Sequence, residues 1–138
     1  MFDATVISAV AYKPEKEPAL YAWFRTVVTS PAHRPMRAAV TDYEVRRGLV
    51  YKGSARGLER LDWIVARLDY VPLDDAIAQR AAAFWAEVRH KGRPTGAGLD
   101  ADALLAAAAS VAGATLITHN LKHLSRYPIE ARVWRDVV

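Results

Sequence analysis

A chain of 138 residues, 52% of them hydrophobic, is long enough for one domain with a well-filled core. It contains no cysteine, which excludes disulfides, thiolate zinc sites and thiol catalysis and leaves any metal to oxygen or imidazole ligands. Its net charge of +4 favours a polyanionic partner, and its longest apolar runs, such as 103–109, fall far short of the roughly 20 residues of a membrane span. With no basic-then-apolar leader at the start, a cytoplasmic protein is expected.

In chain order, Met1 to Val6 reads as the beginning of a strand. Pro18 then opens a helix in which Leu20, Trp23, Phe24, Val27 and Val28 recur at helical spacing. Arg37 to Val40 is a short strand candidate, and Thr41 starts the next helix with Thr41-Asp42-Tyr43-Glu44. A helix over Ser54 to Leu68 carries Leu58, Leu61, Val65 and Leu68 on one stripe, and Tyr70 to Leu73 is extended. Asp74 caps a helix over Asp75 to Lys91 that stops at Gly92-Arg93-Pro94. An alanine-rich helix containing Asp102 ends at Gly113, and Ala114 to Thr118 is a strand. No repeat or linker interrupts residues 1–138, so a single domain is expected. Strand alternating with helix implies a mainly parallel sheet with helices on both faces, and any site at the carboxyl ends of the strands.

Asp3 lies in an otherwise apolar segment, where a buried carboxylate is costly unless compensated; a solvated chain end accounts for it as well, and Thr5 is within reach to hydrogen-bond it. Glu44 has a ready structural role, because Thr41-x-x-Glu44 has the form of a capping box. The same position also lets it reach a metal at the sheet edge. Asp100 and Asp102 are about 200° apart if both are helical, so they cannot both face one ion. Asp102 is the better ligand, and Asp100 the better cap or supporting residue. Three carboxylates at one sheet edge raise one another's pKa unless a cation neutralises them, and oxygen ligation selects Mg²⁺ or Mn²⁺. Such an ion activates water and orients a phosphodiester, which points to hydrolysis of nucleic acid.

Four segments carry a resemblance: Phe2-Asp3-Ala4-Thr5-Val6-Ile7-Ser8, Ala39 to Gly48 around Thr41-Asp42-Tyr43-Glu44, Asp102-Ala103-Leu104-Leu105-Ala106-Ala107, and Leu116-Ile117-Thr118-His119-Asn120. In this order and spacing the sequence resembles the PIN-domain ribonucleases, and among them the VapC toxins of bacterial toxin-antitoxin pairs. The resemblance runs from residue 2 to about residue 127, and Gly92-Arg93-Pro94 shares it. It implies a three-layer α/β/α fold and a Mg²⁺- or Mn²⁺-dependent endoribonuclease. The metal ligands would be Asp3, Glu44 and Asp102, with Asn120 as the fourth site residue and Thr5 and Asp100 in support. It also implies an RNA substrate, a 5′-phosphate product, an antitoxin partner and a homodimer formed through the early helices. Asn120 stands where the family often has aspartate; an amide oxygen can position water but brings no charge.

Arg46 and Arg47, with Lys52, Arg56 and Arg60 beyond them, and Lys91 with Arg93 could hold phosphates, or could be solvated helix faces. His119 and His123 are four apart, with no third imidazole placed near them in sequence. Leu20, Trp23, Phe24, Trp63 and Ile64 are candidates for a subunit interface, and an ordinary core explains most of them equally well. The main rival to the nuclease is a catalytically silent PIN-like module that binds RNA or protein. A phosphotransfer domain with Asp3 as acceptor is a second, against which the absence of a late-strand lysine counts.

Overall fold

The computed structural model describes residues 1–92 and 99–137. Its strands are short and all parallel. Strand β1, Met36–Ala38, pairs with β2, Asp69–Val71, and β3, Leu116–Ile117, pairs with β4, Ala131–Arg132. Phe2 joins the two pairs by bridging Arg37 on one side and Ile117 on the other, which gives the order β2, β1, Phe2, β3, β4. Its N–H donates to Met36 O at 2.9 Å, and the N–H of Asp3 donates to Ile117 O at 2.9 Å.

Side chains alternate across this sheet, as period-2 geometry demands. Met1, Ala38 and Leu116 point into one apolar layer with helices α5, Asp75–His90, and α6, Leu99–Ala112. Phe2 and Ile117 point into the other. That second layer holds α1, Ala4–Tyr12, α2, Pro18–Thr29, and α4, Ala55–Val65, together with Val45 and Leu49 of α3, Ala39–Tyr51. The result is the expected α/β/α arrangement, with helices dominant. A short α7, Leu121–Leu124, follows β3.

The strand expected over Met1 to Val6 is reduced to Phe2, and the chain turns into α1 immediately after Asp3. Val6, Ile7, Val10 and Ala11 recur at i, i+1, i+4 and i+5 and are buried. This apolar stripe outweighs the strand preference of Val6 and Ile7. The C-terminal end of α1 is finished by Arg60 of α4, whose guanidinium donates to Ala11 O at 2.6 Å and Tyr12 O at 2.7 Å. Arg60 is therefore committed to the scaffold rather than free to hold phosphate. Replacing Arg60 with Gln is expected to lower stability by about 1–2 kcal/mol through loss of charged hydrogen bonds to the end carbonyls, readable as a lower urea midpoint at unchanged slope.

Helix α3 starts at Ala39, directly after β1, so Thr41 lies inside the first turn and is not the N-cap. The capping box is absent: Thr41 is fully buried, with its hydroxyl 3.4 Å from Phe2 O, and Glu44 is released from a capping role. The three interface candidates Leu20, Phe24 and Ile64 are at most 2% exposed and belong to the core. Of the other two, Trp23 is half-buried, donates to Val137 O at 3.1 Å and packs against Phe2 and Trp134. The expected end at Gly113 is a Schellman turn. Gly113 takes φ +61°, its N–H donates to Ser110 O at 3.2 Å, and Ala114 N–H reaches back to Ala109 O at 2.9 Å.

Candidate metal centre

Asp3 leaves Phe2 in extended conformation at the carboxyl edge of the sheet, and only 7% of it is exposed. Two hydroxyls meet its Oδ2. Thr5 donates at 2.7 Å from the first turn of α1, and the fully buried Thr118 donates at 2.6 Å from the end of β3. Each hydroxyl also accepts a backbone N–H: His119 N–H reaches Thr5 Oγ1 at 3.2 Å, and Asn120 N–H reaches Thr118 Oγ1 at 2.8 Å. A hydroxyl can donate once and accept twice, so both are used consistently. The pair pins one carboxylate oxygen and ties residues 118–120 to Asp3.

Glu44 stands on α3, with Arg47 one turn on at 3.9 Å. Asp102 stands in the first turn of α6, with His123 Nδ1 of α7 at 3.8 Å. Burial pushes the Glu44 carboxyl above its usual value, the charge of Asp3 adds to it, Arg47 offsets part, and Asp102 raises it further. Burial also pushes Asp102 up, followed by Asp3, with His123 and Arg126 working against the rise. Three carboxylates from three elements thus share one negative field at the sheet edge. As they stand, no three His, Cys, Asp or Glu side chains among the described residues are gathered tightly enough to enclose one ion.

Asn120 is the residue before α7, half-buried, at the same edge. Asp100 and Asp102 are both helical because α6 begins at Leu99, so of the two roles expected of Asp100, cap or supporting residue, the cap falls away. It is exposed, whereas Asp102 is half-buried, as their 200° separation requires.

A family model described as PIN domain matches residues 1–130. The chain is a PIN domain. FitAcB from Neisseria gonorrhoeae superposes on it with a TM-score of 0.78 at 19% identity, covering 99% of this chain and 98% of that one. VapBC2 from Rickettsia felis, bound to a promoter DNA fragment, gives 0.77 at 20% identity with 97% of each chain covered. VapBC-1 from nontypeable Haemophilus influenzae gives 0.75 at 21% identity, covering 99% and 98%. No curated protein matches the chain significantly.

Within this PIN domain the cationic candidates separate. Arg46 is drawn away from the site by Asp42 at 3.4 Å and Asp62 of α4 at 3.0 Å, so it links α3 to α4. Arg47 faces Glu44, and Lys91 is exposed just after α5. Arg93, with Pro94, lies outside the described residues. His119 and His123 go to different acids, Glu17 at 3.7 Å and Asp102 at 3.8 Å, which disposes of a shared imidazole site.

Two residues went unremarked as individuals in the sequence. Thr118 lay inside a recognised motif, yet its bond to Asp3 spans 115 positions and has no local signature. Tyr127 packs on Phe84 of α5, and its hydroxyl is buried without a hydrogen-bond partner among the described residues. Burial, with Asp102 next, pushes that phenol up to about 12, so it stays neutral beside the acids.

Proposed function

We propose that this PIN domain is a divalent-metal-dependent endoribonuclease and the toxin of a toxin-antitoxin pair. It would act as one domain over residues 1–138 in the cytoplasm. The observation that carries the reading is the shared negative field of Asp3, Glu44 and Asp102 at the carboxyl edge of a parallel sheet, with Asp3 pinned by Thr5 and Thr118. An all-oxygen set of this charge suits Mg²⁺ or Mn²⁺. Asp3, Glu44 and Asp102 would hold the ion, and the bound ion would supply Lewis acidity toward phosphate and water.

The remaining work falls to the chain's own groups. Thr5 and Thr118 fix the rotamer of Asp3 by loading Oδ2, so its position survives repulsion from Glu44 and Asp102. Arg47 stands beside Glu44, where a phosphate oxygen can meet the guanidinium. Asn120, held through its backbone by Thr118, offers an amide that can orient water without adding charge. His123 can shield the outer side of Asp102.

The antitoxin partner is supported by the resemblance to VapC toxins and by a fold shared with the VapBC and FitAcB structures. A homodimer remains part of the proposal, but not through Leu20, Phe24 and Ile64, which the core consumes. No described helix is long and apolar enough to cross a membrane.

The test incubates purified, partner-free protein with labelled total RNA in Mg²⁺, Mn²⁺ or EDTA. Discrete fragments with 5′-phosphate ends that need metal are expected. The competing reading is a silent PIN-like module that binds without cutting, favoured by Asn120 and by the looseness of the three acids as they stand. It predicts weak Mg²⁺ affinity and intact RNA in every condition.

A further inference from the structure

Beside Glu44 the surface opens into a cleft of about 290 Å³ between α3 and α6, walled by Val40, Tyr43, Arg47, Asp100 and Leu104. Tyr43 is the conspicuous member, because 61% of this aromatic residue is exposed while it directly precedes Glu44. Residues 43 and 47 are one turn apart on the same face, and the Arg47 guanidinium lies 5.1 Å from the centre of the Tyr43 ring. The same guanidinium is 3.9 Å from the Glu44 carboxylate. Ring, cation and acid therefore form one continuous strip running into the shared negative field.

We propose that Tyr43 is the platform on which an unpaired nucleobase of the RNA substrate stacks, with Arg47 holding the adjoining phosphate next to Glu44. The inference rests on the ribonuclease reading above and adds to it the residue that selects single-stranded RNA. A base has a flat, sequence-tolerant face, and an exposed tyrosine offers a matching one at low entropic cost. A base inside a duplex has both faces occupied by its neighbours and cannot use the platform.

The test titrates wild type, Tyr43→Phe and Tyr43→Ala in EDTA at low salt with an oligoribonucleotide of about ten nucleotides carrying 2-aminopurine, a length within the usual site sizes for single strands. Wild type and Tyr43→Phe are expected to bind alike and to quench the fluorescent base. Tyr43→Ala is expected to bind about tenfold more weakly, the loss that accompanies removal of one stack, and to quench little. Affinity for the paired duplex of the same length is expected to be the same in all three. Equal binding and quenching by Tyr43→Ala overturns the proposal. So does a changed sedimentation mass of Tyr43→Ala with unchanged RNA affinity, which would assign the ring to a contact between copies. If Tyr43→Ala also cuts RNA in Mn²⁺ with wild-type KM, the platform fails and the ribonuclease stands. If wild type neither binds nor cuts, both fail.

Discussion

Asp102→Asn is expected to abolish RNA cleavage and, in metal-free buffer, to make the protein harder to unfold. Burial and the charge of Asp3 hold the Asp102 carboxyl above its usual value in the folded state. Below the unfolded value, about 3.9 for aspartate, both states are protonated and the residue costs nothing. As pH rises past that point the unfolded chain ionises first, so stability falls until the folded carboxyl has also ionised. The full penalty is then present at neutral pH. Asparagine keeps the shape and removes the charge. Scanning calorimetry in EDTA is expected to give a Tm higher by about 3 °C at pH 7, the effect of a typical stabilising substitution, and a gain that vanishes well below the unfolded value, at about pH 3. Adding Mn²⁺ is expected to raise the Tm of wild type and to do much less for the variant. Cleavage is expected to fall by at least about 100-fold, the scale seen when electrostatic stabilisation of a transition state is removed. An unchanged or lower Tm in EDTA would deny that the acids repel one another. Undiminished cleavage would remove Asp102 from the metal set.

Thr118→Val is expected to be the most damaging conservative change at the site. It preserves the branched shape of a fully buried side chain but deletes the donor to Asp3 at 2.6 Å and the acceptor for Asn120 N–H at 2.8 Å. A charged hydrogen bond and a stranded backbone N–H together cost about 2–3 kcal/mol, which lowers Tm by roughly 8 °C in a domain of this size. Removing such support from Asp3, the proposed ligand, is also expected to weaken metal binding, by about tenfold in Mn²⁺ affinity, measurable by calorimetric titration. Thr118→Ser, which restores the hydroxyl, is expected to recover most of both. Thr5→Val is expected to cost less, since Thr5 is exposed and water can replace its hydroxyl. If Thr118→Val and Thr5→Val prove equally mild, Asp3 is not held as described.

The contrast between the acids and their supports marks how far the sequence could be read. Asp3, Glu44 and Asp102 stand out as candidates in the sequence because each sits in a segment whose neighbours and spacing resemble a known family, and because carboxylates next to strand ends are chemically unusual. The alternation of helices and strands was legible from apolar spacing, most clearly in α2 and α5, where a single stripe is buried. The first strand is shorter than its sequence suggests because Val6 and Ile7 favour strands in isolation, and only packing against α3 and α4 turns them into a helix face. The role of Glu44 turned on where α3 begins; starting it two residues too late created a capping box that the fold does not contain. Charge was the least legible property. Arg46 and Arg60 look in sequence like their neighbour Arg47, yet the first is clamped by Asp42 and Asp62 and the second closes α1. Asp42 is only four residues from Arg46, but Asp62 and the carbonyls of Ala11 and Tyr12 lie too far along the chain to be read from local pattern.

The central position of Phe2 also bears on when the site comes into being. Residues 2 and 3 form the middle of the sheet, and hydrogen bonds on one side join this segment to Ile117, far later in the chain. Asp3 gains its backbone anchor from Ile117 and its buried hydroxyl from Thr118, so the acid cannot be fixed before residues 117 and 118 have been made. A ribosome-bound fragment that already contains Asp3, Glu44 and Asp102 has Thr5 but can still lack Ile117 and Thr118, the distant half of what holds Asp3. For a protein proposed to destroy RNA, this order of assembly is a safeguard: the nascent chain stays harmless to the message encoding it until residues 117 and 118 have joined the sheet.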